Sequence, residues 1–126
     1  MIALKPGPLS RATTYTVSVL PGAPSAEGPR TTPAAQTASF RTFEPLAVAE
    51  ARCSWGRDCP PEAPWYVRFN NPLTEDSVDP AHFAVDPAFP LRVDGNGSWV
   101  NISGTKPGRT TYTLTVGADV SDVFGQ

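Results

Sequence analysis

Alternation of apolar and polar residues is the clearest signal in the chain. Tyr15, Val17 and Val19 are separated by Thr16 and Ser18, while Trp65, Val67 and Phe69 are separated by Tyr66 and Arg68. A period of two sends successive side chains to opposite faces, so each run predicts a strand with one buried face. Further strands are predicted at residues 40–43, 46–52, 83–85, 91–93, 99–102 and 111–116. Between Val93 and Trp99 lies Asp94-Gly95-Asn96-Gly97-Ser98, where Asp-Gly and Asn-Gly supply residues that tolerate positive φ and predict a hairpin. Residues 74–83 predict one short helical turn capped by a hydroxyl or a carboxylate. Residues 21–33 hold four prolines and two glycines and predict a loop without regular structure.

One phrase occurs twice. Thr13-Thr14-Tyr15-Thr16-Val17-Ser18-Val19 returns as Thr110-Thr111-Tyr112-Thr113-Leu114-Thr115-Val116, an offset of 97 residues (110 − 13). Gly7 with Gly104 and Gly28 with Gly125 keep the same register. This period is too long for a solenoid unit of roughly 20 to 50 residues. It suits tandem sandwich domains of about 100 residues. Residues 1–43 are therefore expected to be the C-terminal part of a first domain, and residues 44–126 a second domain that lacks its last strand. A strand from residues 10–43 is expected to fill that gap, within the chain or from a second copy as a strand-swapped dimer.

Composition strengthens the all-β reading. Fifteen prolines and ten glycines among 126 residues leave little room for long helices. Short strands at intervals of roughly ten residues imply an antiparallel β-sandwich. A net charge of −2 offers no basic stripe for nucleic acid. No stretch approaches the ~20 apolar residues of a membrane span.

Candidate chemistry is sparse. Cys53 and Cys59 bracket Ser54-Trp55-Gly56-Arg57-Asp58 in a turn-rich loop. They are read as a disulfide, with two structural thiols as the alternative; as zinc ligands they would leave a tetrahedral site half built. Glu75, Asp76, Asp79 and Asp86 invite calcium, yet turn capping explains aspartates before proline equally well. His82 is the sole histidine, and no serine lies in a Gly-x-Ser-x-Gly elbow. No Gly-x-Gly-x-x-Gly or Walker phosphate loop occurs. The expectation is a chain without catalytic residues, metal or cofactor. Trp65 shares strand parity with Val67 and Phe69 and is assigned to the core. Trp55 and Trp99 are the candidate ligand-binding rings, because aromatic side chains give large contact area at small entropic cost.

The succession Phe69-Asn70-Asn71-Pro72-Leu73, then residues 78–85, then residues 110–116, then Val120-Ser121-Asp122-Val123-Phe124-Gly125 resembles the bacterial Ig-like domain of the SbsA type. The likeness covers nearly all of residues 46–126, and its second half recurs over residues 4–43. The phrase Ser121-Asp122-Val123-Phe124-Gly125-Gln126 and the cysteine pair ahead of Phe69 are also similar to bacterial alpha-2-macroglobulin-like proteins, which trap proteases. The resemblance implies an Ig-like sandwich and a non-catalytic structural module of an exported multidomain protein, periplasmic, lipoprotein-anchored or at the cell surface. Its partners would be neighbouring domains and, through the full-length protein, proteases. The bait region and thioester of such a trap do not occur in these residues. The other expectation is a ligand- or carbohydrate-binding module of a cell-surface protein, working through Trp55 and Trp99.

Overall fold

The computed structural model of the chain describes residues 5–54, 56 and 58–126. It is all-β, with strands in antiparallel sheets and two short 3-10 turns. Contacts divide it into two units, one ending at Pro45 and the other beginning at Leu46.

The first unit is a ribbon. Strands β1 (Thr14–Val19) and β2 (Gln36–Arg41) pair from Thr14 opposite Arg41 to Val19 opposite Gln36. Tyr15 and Val17 are half-buried, whereas every residue of β2 is exposed. The strand expected at residues 40–43 thus begins earlier, at Gln36, although Gln36-Thr37-Ala38-Ser39 carries no apolar alternation. Its extended state comes from the ladder that β1 offers. Pairing continues past the strand, where Thr42 N–H donates to Thr13 O and Ala12 N–H to Phe43 O, each at 3.0 Å. The loop at residues 21–33 is more regular than expected. Pro24 bridges Thr31, and the donors are the N–H groups of Gly22, Ser25 and Thr32. Prolines are tolerated because they stand where no donor is required.

The second unit contains six strands: β3 (Val48–Arg52), β4 (Trp65–Phe69), β5 (Phe83–Asp86), β6 (Arg92–Asn96), β7 (Trp99–Ser103) and β8 (Thr113–Val116). One sheet has the order β3-β4-β7-β6 and the other pairs β5 with β8. Both contribute to one core of Val67, Phe69, Leu73, Phe83, Val100, Ile102 and Val120, on which Leu46, Trp65, Leu91, Val93, Leu114 and Val116 pack. Val100 and Ile102 are wholly buried, and burying a side chain of this size is worth about 1.5–3 kcal/mol. Trp65, Val67 and Phe69 face this core as their alternation predicts. Leu46 reaches it from outside the strand, which begins at Val48 and carries a register shift between Val48 and Glu50.

The hairpin between β6 and β7 closes at Asn96 opposite Trp99, leaving Gly97-Ser98 as its two-residue loop. Gly97 has φ +61° and Ser98 is not in the positive region, which fits a turn with glycine at its first central position. The Asp94-Gly95 pair, equally eligible by sequence, lies within β6. The expected helical turn is two 3-10 turns, Glu75–Ser77 and Pro80–His82. Asp79 caps the second, accepting from Ala81 N–H at 2.8 Å.

In this structure β2 pairs with β1, and the sheets of the second unit are built from strands within residues 48–116. The expected insertion of a strand from residues 10–43 into the second domain of the same chain is therefore not found. Ladder partners on hand locally won, since Gln36–Arg41 follows β1 after a short loop and needs no long-range closure.

Candidate functional site

The repeated phrase folds twice into the same corner. Turns at Arg11-Ala12 and Gly108-Arg109 stand 97 residues apart (108 − 11), and Ala12 (φ +50°) and Arg109 (φ +56°) are the two non-glycine residues with positive φ among those described. Thr13 Oγ1 donates to Arg11 O at 2.7 Å, as Thr110 Oγ1 does to Gly108 O at 3.2 Å. Tyr15 and Tyr112 each bond through their hydroxyls to the backbone five residues earlier. At Tyr15 the hydroxyl accepts from Ser10 N–H at 2.7 Å. Pro107 has no N–H, so Tyr112 instead donates to Pro107 O at 3.1 Å. The glycine matches carry less: Gly104 and Gly125 have positive φ, whereas Gly7 and Gly28 do not.

From the second corner Tyr112 enters an aromatic cluster. Its ring meets Trp65 at 5.5 Å and Phe89 at 5.7 Å, and Trp65 meets Phe89 at 5.5 Å, all edge-on. Edge-to-face packing sets positive ring edges against negative faces. Gly104 is required beside it, because a Cβ there would stand 2.8 Å from the Phe89 ring and overlap Pro90 O. Lys106 is only 4% exposed. Its Nζ donates to Ala63 O and Gly104 O, each at 2.9 Å, and lies 5.4 Å above Trp65 and 5.5 Å above Phe89. Burial lowers its pKa from the ordinary lysine value, with Glu62 opposing that shift.

Beside this cluster runs a groove of about 290 Å³ between β3 and β4 on one side and residues 106–114 on the other. Val67, Trp65, Tyr66, Tyr112 and Leu114 give it an apolar lining, and the Cys53–Cys59 disulfide sits at its rim. The two Cα atoms are 5.3 Å apart, within bridging range. Along the groove, β8 pairs with β5 on one edge and with no strand of the described residues on the other. A strand edge of this kind presents unpaired N–H and C=O groups.

The tryptophans singled out by sequence lie elsewhere. Trp99 is half-buried on β7 with the Arg68 guanidinium 5.7 Å above its ring, and it does not line the groove. Trp55 lies outside the described residues. His82 Nδ1 is 3.3 Å from Ser77 O, while the Ser77 hydroxyl bonds with Thr74 and Ser121. Among the described residues no three acidic, histidine or cysteine side chains converge. No helix of the described residues is long and apolar enough to cross a membrane, which leaves strands unaddressed. Sequence reading missed Lys106, Phe89 and the tyrosine hydroxyl contacts. The repeated tyrosine was visible, but its partner five residues earlier was not.

Buried Asp122, 1% exposed, organises residues 121–126. Its carboxylate accepts from Asn71 Nδ2 at 2.7 Å, Phe124 N–H at 3.0 Å, Gln126 N–H at 2.9 Å and Gln126 Nε2 at 2.9 Å. Four donors on one carboxylate hold this segment against Leu73, which bridges Asp122. The chain matches no family model, no curated protein and no solved structure.

Proposed function

We propose that the chain is a non-catalytic structural module with an Ig-like sandwich, part of an exported bacterial multidomain protein of the alpha-2-macroglobulin-like kind. The observation that carries this reading is the corner built twice at one offset, around Tyr15 and Tyr112. A tyrosine whose hydroxyl returns to the backbone just upstream, at the start of a late strand, is a hallmark of Ig-like sandwiches. The sheet order supports the same reading, because β3-β4-β7-β6 matches the A-B-E-D sheet of that fold and β5-β8 matches its C and F strands. Two such corners in one chain suit a series of domains whose role is spacing and stiffness. The disulfide supports an oxidising compartment. Neighbouring domains are then the immediate partners, and proteases are engaged through the whole protein.

A second reading, a ligand- or carbohydrate-binding module, is favoured by the aromatic-lined groove. It would work through Trp65, Tyr66 and Tyr112 and not through Trp99. Sequencing the reading frame on both sides of these residues tests the first reading. Further corners at 97-residue spacing, a bait region and a thioester motif are expected; a frame closed on both sides would sink it. Glycan and protein arrays probed with the chain separate the two, since specific capture supports the second.

A further inference from the structure

Two edges in this molecule are built alike, and one of them is occupied. β1 follows its corner with Tyr15, Val17 and Val19 on one face, and β2 lies along its edge. The equivalent positions after the second corner are Tyr112, Leu114 and Val116, and no strand of the described residues lies along that edge of β8. The consequence is visible in strand length. Thr14 and Tyr15 belong to β1, but their counterparts Thr111 and Tyr112 precede the start of β8 at Thr113. With no partner strand opposite, these two residues have no ladder to join.

We propose that the open edge of β8, with the groove beside it, is a strand-acceptor site whose occupant is β2 of a second copy of this chain, bound in the register that β2 holds on β1. In that register Tyr112 stands opposite Phe40, Thr113 opposite Ser39, Leu114 opposite Ala38 and Val116 opposite Gln36. Each contact has a template on β1. Tyr15 stacks on Phe40 at 5.8 Å, and Thr16 Oγ1 meets Ser39 Oγ at 2.9 Å. Directly opposed side chains share a face. Phe40 and Ala38 therefore project over the groove that Tyr112 and Leu114 already line.

The exchange is favoured by where each strand starts. β2 is wholly exposed on β1, and Phe40 is 47% exposed there. Little apolar burial is lost when β2 leaves a two-stranded ribbon, which is marginal in water. Ladder bonds lost on β1 are replaced by those on β8, and Phe40 gains the walls of the groove. The backbone groups beyond the strand are also matched. Ala12 N–H, which donates to Phe43 O, has Arg109 N–H as its counterpart, and Thr13 O, which accepts from Thr42, has Thr110 O. This inference rests on the repeat within the chain and not on the family reading, so either can fail alone.

Two measurements on the full chain test it. In the first, chains carrying Thr37→Cys and Thr115→Cys are mixed under mild oxidation, with Thr37→Cys and Thr113→Cys as the register control. All three positions are exposed, so folding is not at stake. Opposed residues come within the ~4.4–6.8 Å that a disulfide spans, and the 37–115 mixed dimer is expected to form several-fold faster than the 37–113 dimer. Equal rates, or no mixed dimer, overturn the assignment of a second copy in this register. In the second, a labelled peptide of residues 34–43 is titrated into the chain. Saturable binding is expected, weakened about tenfold by Phe40→Ala in the peptide, with slowed amide exchange across residues 109–116. Absence of binding at millimolar peptide, or binding without slowed exchange there, overturns the acceptor site.

Discussion

The corners at Tyr15 and Tyr112 share a turn, a threonine bond, a positive-φ residue and a tyrosine hydroxyl contact. What surrounds them differs. The first has a strand along its edge and no buried core of its own, since β1 and β2 hold nothing more buried than the half-covered Tyr15 and Val17. The second has a core in which Val67, Val100 and Ile102 are almost completely buried, yet an open strand edge. Local hydrogen bonding is thus enough to form the corner, and a core is not required for it. What the core adds is stability around the corner, and what a partner strand adds is the ordering of Thr111 and Tyr112 into a ladder.

The comparison predicts unequal responses to equivalent truncations, the largest in the core. Ile102→Ala should destabilise the second unit by about 2–5 kcal/mol, the range for emptying a packed aliphatic site. Val17→Ala should move the same transition by less than about 0.5 kcal/mol. Tryptophan emission separates them, since all three tryptophans follow residue 46. Equal shifts would break the claim that only the second unit has a core.

Next in size is the residue pair 97 apart at the corner entrance, Lys106 and Leu9. Lys106→Met should cost about 1–2 kcal/mol in thermal unfolding, because it strips two buried carbonyls of a charged donor. Burial lowers the Lys106 pKa, so the folded state releases its proton before the unfolded chain does. The cost of burying the charge is present at neutral pH and is relieved as pH rises from the folded value toward the ordinary lysine value. Wild-type stability should gain over that window relative to Lys106→Met. Leu9→Ala, at a site 39% exposed, should leave the melting temperature unchanged.

The smallest effect belongs to Glu50 on the outer strand β3. Its carboxyl is held below the usual carboxylate range, first by the hydrogen bond from Arg52 and further by Arg68, against some desolvation. The contribution is present above the unfolded carboxylate pKa and lost as pH falls through the lower folded value. Glu50→Gln should therefore flatten the acid limb of stability against pH while leaving Val17→Ala and Leu9→Ala chains with the wild-type slope. An unchanged acid limb would show the pair to be too exposed to matter.

Much of the fold was legible because burial on one face writes itself as alternation. Trp65, Val67 and Phe69 point inward as their parity requires, and the turn at Gly97 follows from the glycine. Strand ends were less legible, because a ladder partner and not the strand's own residues decides them. Gln36-Thr37-Ala38-Ser39 has no apolar pattern and is strand, whereas Thr111-Tyr112 has one and is not. The groove was illegible for a related reason. Lys106, Phe89 and Tyr112 are brought to Trp65 from separate segments, and a buried lysine held by carbonyls leaves no spacing rule in sequence. Asp122 is similar: its partners Asn71 and Gln126 stand on either side of it in the chain, one far and one near.

Taken alone, the sequence determined the all-β class, the inward faces of the strands, the loop that joins Cys53 to Cys59 and the existence of a twice-used corner. These depend on local period, turn chemistry and short-range bonds, which residues carry with them wherever they fold. Only the tertiary structure decided that β2 joins β1, that β8 keeps one edge open beside an apolar groove, and that Lys106 is buried over two rings. Those outcomes turn on which segments meet across the chain, and pairing between distant segments is settled by competition for edges and burial, not by any one segment's composition.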